Sequence, residues 1–316
     1  MVNIDEKKFP KIIVILGPTA SGKSATAIRL AKKFNGEVIS VDSRQIYRGL
    51  DVGSGKILKD SLSKATDQKD IFLSEGIRHY MLDIVSPRTN FSAAQFKKKS
   101  DRIISDILKR DKLPILCGGT GFWIQAVVDD MIYPEVKPDW KLRKKLEKKS
   151  TEKLFAQLKK IDPTRAKNID SKNKVRLIRA IEICQSLGKV PAKIEKADAK
   201  YNFLQIGIQR DREILHKKIE LNVKKRFRQG MIAEVENLKN SGLSWRKIES
   251  FGLSYRLIPK YLRREIETKE ELLEKICIDE KNYAKRQITW FKKDKRIVWI
   301  EKFKDIEKIT ASFLNA

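Results

Sequence analysis

Residues 17–24 read GPTASGKS, the spacing of a phosphate-binding loop, directly after the apolar run IIVIL. Gly17 and Gly22 admit backbone angles that bulkier residues resist, so successive N–H groups can turn inward around an anion. A helix starting near Gly22 adds unpaired N–H groups and the positive end of its dipole. Lys23 can reach an outer phosphate, and Ser24 offers a hydroxyl to Mg²⁺. The pattern implies phosphate chemistry without saying which phosphate compound is held. Two carboxylates are candidates to act beside it. Asp42 opens DSRQIYRG, where it can be a general base, a magnesium ligand or a helix N-cap. Asp83 closes HYMLD and fits the acidic strand end of a nucleotide hydrolase.

These groups need a rigid frame. IIVIL (12–16), EVISV (37–41), HYMLDIV (79–85) and LPILCGG (113–119) read as strands, with helical patterns over 22–34 and 92–110 between them. Short apolar runs separated by helices predict an α/β fold, a P-loop parallel sheet with helices on both faces. Ligands in such sheets bind beyond the carboxyl ends of the strands, which selects GPTASGKS, DSRQIY, the residues after Asp83, and GGTGFW. From about Pro138 the chain turns charged and helical, with no strand signal until NFLQIGIQ (202–209). The expected organisation is a catalytic core over 1–137, a small all-helical insertion domain over 138–199, and a return to the core over 200–316. The returning part is mostly helical apart from RIVWI (296–300).

Composition narrows the partners. The chain has 316 residues, 41% hydrophobic, which supports a real core. No apolar run is long enough to span a bilayer, and the opening MVNIDEKKFP resembles neither a signal nor a transit peptide. Cys117, Cys184 and Cys277 have no paired spacing, so a disulfide framework and a zinc site are not expected. The expected location is the cytoplasm, with no membrane partner. Counted along the sequence, residues 1–140 carry +6 and residues 141–316 the remaining +22 of a net +28. A Lys-rich composition alone would not produce that asymmetry. Basic excess with interspersed aromatics points to a nucleic-acid partner in the second part.

The motifs then follow one another in a familiar order: GPTASGKS, VDSRQIYRGLDVGSGK, GGTGFW, RAIEI, REILHKKI with KKRF, and YAKRQITWFKK. In that order, from about residue 11 to about 292, the chain resembles the tRNA dimethylallyltransferases. The resemblance implies transfer of a dimethylallyl group from dimethylallyl diphosphate to N6 of adenosine 37 in the tRNA anticodon loop. The partners it implies are dimethylallyl diphosphate and tRNA, the cofactor is Mg²⁺, and the acting form is a monomer. The loop would then hold a diphosphate rather than a nucleotide to be hydrolysed.

The same resemblance implies the site. Gly17, Pro18, Thr19, Ala20, Ser21, Gly22, Lys23 and Ser24 would bind the diphosphate, with Ser24 on the metal and Arg212 as a second cation. Asp42 would be the base for the N6 proton, and Thr120 a contact beside the target base. Asp42, Ser43, Arg44 and Gln45 would receive the extruded base. Further tRNA contacts would come from Arg143, from Val175, Arg176, Leu177, Ile178 and Arg179, and from Lys281, Lys285, Arg286 and Gln287. Trp123 stands where the family usually has Tyr, and Ser254 where it usually has Gly, which puts the RNA contacts of residues 251–256 in question. No residues over 293–316 suit zinc, so the expected type is bacterial. Three other readings stay open: an adenylate isopentenyltransferase, a P-loop kinase of small molecules, and a non-catalytic RNA-binding protein.

Overall fold

The computed structural model describes residues 9–60, 71–191 and 200–316. Its strands are β1 (Lys11–Leu16), β2 (Gly36–Val41), β3 (Phe72–Ser74), β4 (Ile77–Tyr80), β5 (Leu113–Gly118), β6 (Asn202–Ile208) and β7 (Val298–Ile300). They form one sheet in the order β3-β4-β2-β5-β1-β6-β7. All pairings are parallel except the short β3–β4 hairpin at one edge. The run HYMLDIV, expected as one strand, stops at Tyr80. Met81 and Asp83 take left-handed φ values of 63° and 55°, which an extended strand cannot continue through.

Helices α1 (Lys23–Lys33), α2 (Ala93–Lys109) and α3 (Gly121–Val128) connect the first strands. Next come α4 (Trp140–Leu146), α5 (Thr151–Ile161), α6 (Pro163–Lys167) and α7 (Lys174–Leu187). The returning chain adds α8 (Arg212–Arg228), α9 (Met231–Asn240), α10 (Trp245–Glu249), α11 (Ser254–Leu262), α12 (Lys269–Phe291) and α13 (Phe303–Asn315). Local signals set several ends. Ser92 and Gln95 form a reciprocal capping box at the start of α2, and Gly188 closes α7 with φ 78°.

The chain divides into two compact units, Met1–Val128 with Ala199–Ala316, and Asp129–Asp198. In the first, the alternation of strand side chains builds a core on each sheet face. Ile12, Val14 and Leu16 point to one face, with Phe96, Ile104, Trp123 and the α8–α12 side chains. Ile13 and Ile15 point to the other, with Ala27, Leu30 and Ile306. Every residue of β1 from Ile12 to Leu16 is fully buried, as a central parallel strand requires.

Glu37, in β2, braces the sheet to the end of α2. It is 2% exposed and accepts two hydrogen bonds from Arg110, one from Lys112 (2.9 Å) and one from Tyr80 (2.7 Å). Burial alone would raise its pKa, but Arg110, Lys112 and Tyr80 together bring it from 4.5 down to about 2. A folded pKa below the unfolded one gives stability that is present above about pH 4.5 and lost as pH falls toward 2. Linkage makes this about 3 kcal/mol. Denaturant melts from pH 6 to pH 2 should show that loss in the wild type and a flatter profile in Glu37→Gln.

In the second unit, Leu154, Leu158, Leu177 and Ile181 form a separate small core. Glu182 lies almost wholly buried beside it. Its carboxylate accepts from Arg143 Nε (2.8 Å) and Nη2 (2.7 Å), from Arg179, and from the Asp139 amide (2.7 Å). Burial opposes its ionisation, but the two guanidiniums and the amide outweigh this and hold it below the ordinary carboxylate range. Removing the carboxylate in Glu182→Ala leaves two arginines without their partner. Calorimetry should show this unit destabilised by about 1–3 kcal/mol, because both guanidiniums keep access to water.

Candidate active site

Three strand ends meet over the sheet where the strand order switches: β1 gives the loop 17–22, β2 gives Asp42, and β5 gives Gly118 to Thr120. The loop needs its glycines. Gly17 has φ 145°, and a Cβ there would lie 3.2 Å from the Ile208 carbonyl oxygen. Gly22 has φ 97° and caps α1. Lys23 is half-buried and donates from Nζ to the carbonyl of Pro18 (2.6 Å). Burial lowers its pKa, with Cys117 and Asp42 acting the other way. Burial also pushes the Cys117 thiol up to about 11, so this thiol is not a nucleophile at neutral pH.

Asp42 has one oxygen committed and one available. Oδ1 accepts from the amides of Arg44 (2.8 Å) and Gln45 (3.2 Å), so it caps a turn rather than the start of a helix. Oδ2 accepts no hydrogen bond among the described residues and belongs to a residue that lines the cavity. Thr120 locks this turn to β5: its amide donates to Val41 O (3.2 Å), and its Oγ1 accepts from the Ser43 amide (3.1 Å). Arg44 donates to Phe251 O (2.7 Å) and lies 5.2 Å from the Tyr283 ring centre. Gln45 reaches the carbonyls of Ser54 and Gly55.

The cavity enclosed by these loops has a volume of about 630 Å³. Thr19, Ala20 and Gly22 to Ser24 line one part, with Asp42, Arg44, Gln45 and Gly119 beside them. Residues 53–58, Asn222, Lys225, Arg226, Gln229, Tyr283 and Gln287 complete the wall. The loop 51–53 is held by Glu234, whose carboxylate accepts from the amides of Asp51 (2.8 Å), Val52 (2.6 Å) and Gly53 (3.0 Å) and from Tyr255 (2.7 Å). Neither the α8 stripe of Asn222, Lys225, Arg226 and Gln229 nor Glu234 was picked out from the sequence. The i, i+4, i+7 spacing of 222, 226 and 229 was the available signal.

Several expected residues lie elsewhere. Arg212 is exposed at the first turn of α8 and does not line the cavity. Lys225, on the same helix, does, and it makes no ion pair among the described residues. Gln287 is 6% exposed, with its amide oxygen bonded to Thr19 and its amide nitrogen to Gly119, so it faces the loops. Leu177 and Ile178 are core residues of the second unit, while Val175 (77% exposed) and Arg176 face solvent. Arg143 and Arg179 are tied to Glu182, and Lys281 to Glu220 (2.5 Å). Lys285 and Arg286 are exposed. Asp83 is not itself among the cavity-lining residues but pairs with Lys56, which is. Trp123 is buried and stacked on Phe96 (4.5 Å between centres), so the missing hydroxyl is a packing matter. Ser254 is fully buried and donates to Gly53 O (3.3 Å).

A phosphate loop, a carboxylate and a closed set of strand ends over a parallel sheet define a P-loop group-transfer enzyme. The model of one family, IPP transferase, matches residues 45–294. The tRNA dimethylallyltransferase of Acetivibrio thermocellus is 40% identical over 94% of this chain and 94% of its own length. That of Carboxydothermus hydrogenoformans is 37% identical over 96% of each. The crystal structure of the tRNA isopentenylpyrophosphate transferase from Bacillus halodurans superposes with a TM-score of 0.69 at 32% identity, covering 96% and 97% of the two chains. A eukaryotic dimethylallyltransferase acting on tRNA gives 0.70 at 26% identity, covering 89% of this chain and 70% of that one. The chain belongs to the IPP transferase family.

Proposed function

We propose that this enzyme transfers the dimethylallyl group of dimethylallyl diphosphate to N6 of adenosine 37 in tRNA. The observation that carries the mechanism is the opening of the phosphate loop and the Asp42 carboxylate onto one cavity. The C1–O bond of the allylic diphosphate breaks and a C1–N6 bond forms. The N6 proton passes to the Asp42 carboxylate, and diphosphate leaves with the electron pair of the broken bond. Loop N–H groups and Lys23 meet the charge that grows on the leaving oxygen. Lys225, which lines the cavity, supplies the second cation. Thr120 and Ser43 to Gln45 keep Asp42 aimed at the base.

Magnesium fits this donor set. The described residues include no group of three or more His, Cys, Asp and Glu side chains that could cage a metal, and Ser24 offers a hard oxygen at the loop. Ser24 would hold the ion beside the diphosphate, as magnesium's preference for hard oxygen ligands allows. When bound, it neutralises charge on the leaving group.

The basic second part supports tRNA as the acceptor. Arg176, Lys285 and Arg286 are exposed and available to phosphates. No described helix is long and apolar enough to cross a membrane. Incubation with labelled dimethylallyl diphosphate and, separately, tRNA, AMP and ATP is the test. Label should enter tRNA alone. Label in AMP would favour the adenylate enzyme, and steady phosphate release from ATP a kinase.

Salt dependence gives a second check. With about six phosphates engaged, log affinity for tRNA should fall against log salt with a slope of roughly −4 to −5. From about 50 to 200 mM salt, tRNA affinity then drops ~300- to 1,000-fold, while dimethylallyl diphosphate binding changes far less. A shallow tRNA slope would assign the basic residues to solvated surface.

A further inference from the structure

The geometry points to Gln287 as a positioning residue that holds the diphosphate loop and the Thr120 loop in fixed register. This rests on the proposed prenyl transfer. Gln287 sits on α12, and its amide bridges two strand ends. Oε1 accepts from the Thr19 amide (2.9 Å), and Nε2 donates to the Gly119 carbonyl (2.9 Å). Thr19 belongs to the loop after β1, and Gly119 to the loop after β5. β5 lies between β1, which carries the phosphate loop, and β2, which carries Asp42.

The approach of α12 is built into the sequence of the second loop. A Cβ on Gly119 would lie 2.2 Å from Gln287 Nε2, and a Cβ on Gly121 would lie 2.3 Å from Trp290 Cδ1. Two glycines of GGTG therefore serve as docking points for Gln287 and Trp290. They lie on either side of Thr120, which fixes the Asp42 turn through Ser43. One side chain thus connects the donor of the prenyl group to the turn that carries the base. Tyr283, one turn earlier on α12, lines the same cavity beside Arg44. A small loss of register between the two loops would leave both substrates bound with the carbon and the amine misaligned, and about 1 Å of misplacement costs on the order of 10²-fold in rate.

The test separates position from packing. Gln287→Ala removes the bridge and opens space. In the double variant Gln287→Ala/Gly119→Ala the new methyl group enters that space, where the next nearest atom beyond Gln287 is the Gly17 carbonyl oxygen, at 3.5 Å. The double variant should recover the wild-type melting temperature and bind tRNA and dimethylallyl diphosphate within about threefold. Its kcat should remain about 10- to 100-fold down. A double variant with wild-type kcat would overturn the proposal, because filled space would then be all that Gln287 provides. Gln287→Met, which matches the length without the amide, should show the same loss of kcat at little change in KM. Its retention of full kcat is equally fatal. In the wild-type enzyme the Thr19 amide should exchange slowly with deuterium, and fast exchange would refute the bridge without any variant. If the wild-type enzyme transfers no prenyl group to tRNA, the functional reading itself fails. Transfer that is indifferent to Gln287 removes only this inference.

Discussion

Replacing Asp42 by Asn lowers turnover about 10²- to 10⁴-fold, because the amide keeps the shape of the turn but cannot take the N6 proton. The structure sharpens this expectation. Oδ1 of Asp42 caps the amides of Arg44 and Gln45, and an Asn side-chain oxygen can do the same. The turn should therefore survive, with Thr120 still accepting from Ser43. Only the function of Oδ2 is lost. Affinity for tRNA should change less than about threefold, since one base-edge contact is small beside many phosphates. Single-turnover rates at saturating substrates, with tRNA binding measured separately, give the decision. Near wild-type transfer by Asp42→Asn would leave the carboxylate as a turn cap and nothing more.

Lys23→Ala should slow the chemical step by about 10²- to 10³-fold, the usual loss when one preorganised donor to a developing anion is removed. Lys23 is half-buried and folded onto the Pro18 carbonyl, so its ammonium already sits within the loop rather than in solvent. The loss should appear in kcat more than in tRNA affinity. Arg212→Ala is the contrasting control. As an exposed residue outside the cavity, it should change the rate by no more than about twofold, the range of ordinary surface substitutions. A large effect of Arg212→Ala with none of Lys225→Ala would return the second cation to Arg212.

The contrast between Arg212 and Lys225 shows where sequence reading stops. Both lie in one motif-rich stretch, and both are cations on α8. They are separated by about 20 Å along the helix axis. Which end of α8 reaches the cavity depends on how Leu215, Ile219 and Val223 seat in the core. That is a property of the packed molecule. Likewise Gln287 lies among charged residues in AKRQITWF and reads as one more RNA contact. Its amide faces inward because the glycines at 119 and 121, far away in the chain, let α12 approach.

The sequence by itself determined what is local or periodic. The loop glycines, the helix that follows them and the strand before them interact within a few residues, so GPTASGKS specified its own conformation and its place at a strand end. Short continuous apolar runs and their alternation with helices determined the α/β class. The order of motifs determined the family. Tertiary structure alone decided the rest. It stopped the third strand at Tyr80, turned Asp83 to Lys56, buried Leu177 and Ile178, and gave Glu182 two arginines. It brought Lys225 and Gln287 to the cavity and left Arg212 outside. Each of these depends on residues distant in sequence competing for the same space and charge, and a side chain's neighbours across such distances are set only when the cores close around it.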